Sequence, residues 1–259
     1  MKIETPKIEN PSTEKEPHLT GKRETTIEEI QELNRVVEEM YKKDGVDKEL
    51  MKLFMIHNNQ VFYLVRQIAK AEGFDERELE IAEIAAILHD IKKGGEFEMH
   101  GELGGQEAKR ILLEMGKSEG LAESVRLAIV RHMGNDGFVG EQARKKFGED
   151  FRYEEPKTRV GQSLYDADML TIMTPEGIDK LLKLRETVPE LVKQDEETSK
   201  NSNGKITVED AKFNTIRNSI LNTANSIKLK HSKEIAKDLL NYIKNKYSQL
   251  KLDAVEINP

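Results

Sequence analysis

Apolar residues along this chain recur three and four apart, the spacing of helices, and show little of the alternation that marks strands. A first stripe of Ile30, Leu33, Val37 and Met40 follows the capping box Thr26-x-x-Glu29 and stops at Gly45. A second, Leu50, Phe54, Val61, Leu64, Val65 and Ile68, predicts a helix over about 47–71 with Gly73 as its stop. A third opens at Asp75, with Glu78 in the box position, runs through Ile81, Ile84, Ile87 and Leu88, and is expected to end at Gly94-Gly95. Further helices are predicted over about 100–115, 121–133, 157–173, 178–192, 208–227 and 235–250. The stretch 134–157 holds Gly134, Gly137, Gly140, Gly148 and Pro156 around a short helical piece at 141–146. Connections this long often act as lids or binding segments. SKNSNGK at 199–205 reads as a loop, and residues 1–24, rich in Pro, Glu, Lys, Ser and Thr, read as a disordered tail that carries His18.

The fold class is therefore all-α, and the 259 residues with 37% hydrophobic content are enough for one helical core, which we place at 25–252. The chain has no cysteine, which removes thiolate chemistry and sulfur-ligated zinc and suits a reducing, cytoplasmic setting. A formal charge of −7 argues against general nucleic-acid binding, so an anionic ligand has to be drawn by a local positive centre. No apolar run approaches the length that spans a membrane, and the polar N-terminus is not a secretory signal.

The unusual positions are ionisable residues on apolar stripes. His57 lines up with Val61, Leu64 and Ile68. His100 lines up with Ala108, Ile111 and Met115, with Gly104 on the same line. His132 aligns with Leu121, Val125, Ala128 and Ile129, and Asp168 with Val160, Leu164 and Thr171. His89-Asp90 closes a stretch containing Ala82, Ala85 and Ala86. A stripe faces the core, so six polar side chains on five helices are expected to point inward together. Each alone fits a hydrogen-bonded core residue; jointly they demand several independent desolvation costs, which one or two metal ions would offset at once. Four His and two Asp without sulfur suit Mn, Fe, Co, Ni or Zn in six-coordinate or paired sites.

This order of residues resembles the HD-domain metal-dependent phosphohydrolase superfamily, whose signature is His, then His-Asp, then Asp on a helical core. The segments HNNQVFYLVRQIA, AAILHDIKK, HGELGGQEAKRIL, AIVRHM and SLYDADML carry the resemblance over about 50–175. The later FNTIRNSILNTANSIKLKHSKEIAKDLLNYI is similar to the closing helices of small stand-alone bacterial HD proteins. The resemblance implies an HD-domain helical bundle with extra C-terminal helices and one or two divalent ions, Mg included. It implies that His57, His89, Asp90 and Asp168 hold one ion, and that His100 and His132 hold a second with Asp90 bridging. Asp166 competes for the last position, but on an ideal helix it points about 160° from Asp168, which keeps the stripe.

The implied reaction is hydrolysis of a phosphate ester or anhydride in a small, nucleotide-like molecule, with Asp90 orienting the attacking water. Lys93 stands where some relatives carry a phosphate-contacting lysine; the alternative for it is a solvated lysine at a helix C-terminus. Lys92 competes with it, Arg66 and Arg131 are further candidate phosphate contacts, and Arg144, Lys145 and Lys146 form a small basic cluster that could close over an anionic substrate but reads better as a solvated helix face. The chain lacks the Gly-Tyr-Pro element of the cyclic-dinucleotide enzymes and the Glu-Asp pair of the alarmone hydrolases. Two other readings use the same residues: an HD-fold di-iron oxygenase, and a non-catalytic ligand-sensing module.

Overall fold

The computed structural model describes residues 25–252 apart from 96, 136, 203 and 204; the tail expected at 1–24 lies outside the described residues. Among those described there are eleven α-helices and no strand, as the all-α reading requires. The first seven are α1 (Ile27–Lys43), α2 (Lys48–Ala71), α3 (Glu76–Leu88), α4 (His100–Glu114), α5 (Glu119–Val130), α6 (Gly137–Phe147) and α7 (Arg159–Thr171). Four more follow: α8 (Pro175–Thr187), α9 (Pro189–Asn201), α10 (Val208–Ser226) and α11 (Lys230–Lys246). Short 3-10 turns occupy Phe97–Met99 and Ser248–Leu250.

The starts follow the local chemistry. Thr26, Asp47, Ser118, Thr158 and Thr174 each accept a backbone N–H of the first turn, and Asp75 with Glu78 forms the reciprocal box. Every residue of α3 from Ile81 to Leu88 is buried, including Glu83. A helix apolar on all sides belongs at the centre, and α3 indeed packs on α1, α2, α5 and α7. Its C-terminal end therefore delivers whatever comes next into the middle of the molecule. Against it, α4 lies along α5. The contact is close because a Cβ at Gly105 would sit 2.9 Å from the Arg126 carbonyl oxygen, and one at Gly101 only 2.6 Å from Met133 Cγ.

Several expectations change: α3 stops at Leu88, short of Gly94-Gly95, and α9 runs to Asn201, into the loop expected at 199–205. The single helix predicted over 178–192 is two, because Pro189 lacks an N–H and holds Val188 in an extended conformation (φ −89°, ψ 113°). The last helix starts at Lys230, earlier than its stripe indicates. The cause is distant: the Asp166 carboxylate on α7 accepts the N–H groups of Lys228 and Leu229, both at 2.8 Å. Leu50, placed on the core stripe of α2, is 40% exposed.

The 134–157 stretch contains α6, longer than the piece expected, and is tied down. Asn135 bonds both the N–H and the C=O of Tyr153, while the Tyr153 hydroxyl donates to the Glu98 carbonyl at 2.7 Å. Its cations are paired locally: Arg144 with the Asn135 carbonyl, Lys145 with Glu141, Lys146 with Glu98.

Candidate metal centre

The six residues do not all sit within helices. Only His57 (α2), His100 (first residue of α4) and Asp168 (α7) do; α3 ends at Leu88 and α5 at Val130. His89, Asp90 and His132 occupy the tight turns that follow, where Ile91 N–H bonds Leu88 O, Lys93 N–H bonds Asp90 O and His132 N–H bonds Ile129 O. Apolar periodicity continues through such turns, which is why the stripe reaches beyond the helix end. Two helix C-termini, with their partial negative charge, thus point at one place.

That place is a single cluster. His57 Nε2 lies 3.0 Å from Asp168 Oδ1, 3.4 Å from Asp90 Oδ2 and 3.3 Å from His89 Nε2. His89 Nε2 is 3.3 Å from Asp90 Oδ2 and 4.0 Å from Asp168 Oδ1. On the opposite edge of the same carboxylate, Asp90 Oδ1 faces His100 Nε2 at 3.2 Å and His132 Nε2 at 3.9 Å. The geometry resolves into two groups of potential ligands, His57-His89-Asp90 and Asp90-His100-His132. They share Asp90, and Asp168 borders the first.

The imidazoles are held for this. His89 Nδ1 lies 2.8 Å from the Ala86 carbonyl, and His132 Nδ1 lies 2.5 Å from that of Ile129. A carbonyl only accepts, so Nδ1 carries a proton in both rings and Nε2 is the atom each ring turns to the cluster. Asp90 is held by its backbone too: the buried Tyr41 hydroxyl donates to its carbonyl at 3.1 Å, and Asn58 reaches that hydroxyl at 3.4 Å.

Electrostatics follow from the crowding. Burial, then the neighbouring His100 and His89, push His132 down to about 3, so it is neutral at ordinary pH. For Asp90, burial opposes ionisation, yet His89, Lys93, His100 and His57 hold its carboxyl well below the usual range. Asp168 is likewise lowered, by His57 above all, against its burial. Burial alone would lower His57; hydrogen bonds with Asp168 and Asp90 outweigh it and raise it.

Buried Asp90 Oδ1 accepts no well-directed hydrogen bond. Four imidazole Nε2 atoms and the Asp90 carboxylate therefore converge inside the protein, the kind of donor set that a divalent ion can take up. The donor set, nitrogen and oxygen without sulfur, fits divalent first-row metals.

Of the other candidates, Lys93 joins the cluster, its Nζ 2.5 Å from Asp90 Oδ2. Lys92 turns away to Asp44 at 3.3 Å, beside a surface groove of about 540 Å³ that shares no residue with the cluster. Arg66 does not reach it: nine residues after His57 it projects from the opposite side of α2, pairing with Glu83 at 3.0 Å over the Phe62 ring. Arg131, next to His132, pairs with Glu154 at 2.9 Å. Asp166 is absent from the cluster because it caps the turn before α11; burial pushes its carboxyl up to about 6 against those two N–H donors.

Two participants had escaped the stripe argument. Tyr41 carries a legible signal, lying one turn after Val37 on the inward face of α1. Lys180 carries none. It stands on α8 with part of its surface in solvent and its ammonium turned towards Lys93, Asp90 and Asp168; partial desolvation, then Lys93, lower its pKa against the two carboxylates.

Residues 54–173 match the HD domain family. That stretch is similar to an HD domain. The matched stretch encloses all six clustered residues and Lys93, and leaves α8 to α11 outside. A crystal structure of a predicted HD superfamily hydrolase from an uncultured Thermotogales bacterium is similar over 86% of this chain and 91% of that one, at 19% identity and a TM-score of 0.49. No curated protein matches the chain.

Proposed function

We propose that this HD-domain protein is a metal-dependent phosphohydrolase acting on a small phosphorylated molecule. The observation that carries the reading is the division of one buried carboxylate between two pairs of imidazoles, with Lys93 beside it. His57, His89, Asp90 and Asp168 would hold one divalent ion; Asp90, His100 and His132 would hold the other. Such ions supply Lewis acidity to phosphoryl oxygens and lower the pKa of water towards neutrality.

The chain's own residues do the rest. Asp90 sets the spacing of the two halves and Tyr41 fixes its backbone. The hydrogen bonds to Ala86 and Ile129 keep His89 and His132 from turning. Lys93 stays an ammonium, because Asp90 and Asp168 raise its pKa against burial, and it adds positive charge where phosphoryl oxygens accumulate negative charge. In a chain of net charge −7, this local concentration of positive charge is what favours an anion.

The test is elemental analysis of protein purified without chelator, combined with phosphate release from aryl phosphates and nucleotides under Mn, Co, Ni and Zn. About two ions per chain and metal-dependent phosphate release are expected. Two irons without phosphate release under any of these metals would overturn the reading.

A further inference from the structure

The stripe of α2 does not end at the metal centre. At 100° per residue, Leu50, Leu53, Phe54, His57, Val61, Leu64, Val65 and Ile68 share one face. Their burial changes along it: Val61, Val65 and Ile68 are completely buried, the His57 side chain is 13% exposed, and Leu53 and Leu50 are 46% and 40% exposed. Beyond His57 the face rises out of the core: Phe54 still packs on it, while Leu53 and Leu50 stand exposed. Phe54 links the two parts, since its ring lies 5.8 Å from Lys93 Nζ and 5.3 Å from the Tyr41 ring. An unbroken path leads from Asp90 through Lys93 and Phe54 to Leu50. Exposed leucines in a row are costly for a soluble surface unless something covers them, and here they begin where a bound anion would end.

We propose that the substrate is an amphiphilic phosphate, whose phosphoryl group sits at Lys93 and the metal centre and whose alkyl or aryl body lies along Phe54, Leu53 and Leu50. This rests on the phosphohydrolase reading for the identity of the head group. The apolar body follows from the wall itself, which offers a sugar or other polyhydroxylated group no hydrogen-bonding side chain at these three positions.

The experiment is calorimetric titration of the metal-loaded full chain with methyl-, propyl- and hexylphosphonate, which bind without being hydrolysed, alongside hydrolysis of the matching alkyl phosphates. Affinity is expected to rise about twofold to fourfold per methylene, as partial to full burial of a CH₂ gives. In Leu50→Gln/Leu53→Gln, whose replacements are exposed and good helix formers, that dependence should flatten. Equal affinity across the series, or a dependence the variant keeps, overturns the inference. So does a dimer dissociated by the variant without any chain-length dependence, which would make the stripe an interface between copies. Chain-length-dependent binding without hydrolysis leaves the inference standing and removes the hydrolase reading. Hydrolysis indifferent to chain length does the reverse, and binding of no phosphonate removes both.

Discussion

Two buried polar groups in this protein look alike in a list of inaccessible residues and behave differently. At the α8–α9 junction, Arg185 Nη1 lies 2.5 Å from Asp195 Oδ1, with the two side chains 9% and 2% exposed, and Gln194 takes a second guanidinium hydrogen. Charge there is balanced within ten residues of chain, across the bend that Pro189 makes. At the centre of the molecule, the cluster from His57 to Asp168 draws on five chain segments and shares its charge instead of pairing it: one Asp90 carboxylate faces His57 and His89 on one edge and His100 and His132 on the other. A closed pair fastens two helices. A shared set of ligand atoms, held in place by Tyr41 and by backbone carbonyls, is poised for an ion.

The comparison breaks if removing Asp90 leaves metal bound. Asp90→Ala takes a ligand from both halves at once, and elemental analysis should find metal content and phosphate release lost together; an active, metal-replete variant would contradict the shared-carboxylate arrangement. The reciprocal change is Asp195→Ala, which strands a largely buried guanidinium and should cost about 3 kcal/mol in denaturant unfolding, with metal content untouched. Arg185→Met/Asp195→Leu should recover most of that loss, since a closed pair is replaceable by hydrocarbon whereas the metal cluster is not.

Smaller effects sharpen the contrast. Tyr41→Phe deletes the hydrogen bond to the Asp90 carbonyl, for a loss of about 1 kcal/mol in stability. Metal affinity measured by competition should fall about tenfold, because Asp90 is then less firmly placed. The smallest change is expected at a third kind of charge group, the half-open network of Glu123 with Arg126 and Lys109 on α4 and α5. Arg126, then Lys109, lower Glu123 to about 2 against its partial burial. A lowered carboxyl stabilises the fold above its ordinary value of 4.5 and loses that contribution as pH falls towards 2. Glu123→Gln should therefore be less stable than the parent by under about 1 kcal/mol at pH 7, water sharing the pair, and equal to it near pH 2. A pH-independent difference would show that packing, not charge, sets the effect.

Much of the site was legible before any coordinates. Six polar residues on apolar stripes were expected to meet, and they do; Asp168 was separated from Asp166 by helical angle together with the Ala-Asp pattern of the family it resembles. The same angle, applied to Arg66, places it opposite His57, so its failure to reach the cluster was also readable. Legibility had a local cause, since which way a side chain points is decided by periodicity within a turn or two. The amino-acid sequence by itself determined the all-α class, the helix starts at Thr26, Asp47 and Asp75, and the inward direction of the six. Tertiary structure alone decided the division of the Asp90 carboxylate between two imidazole pairs, the choice of Lys93 over Lys92, the approach of Lys180 from α8, and the early start of α11 on Asp166. Each of these depends on distances between segments far apart in the chain, and no stripe encodes a distance. For the same reason, the exposure of Leu50 and Leu53 is a property of the assembled helices: the pattern says that they are apolar, and only packing says that nothing described lies fully over them.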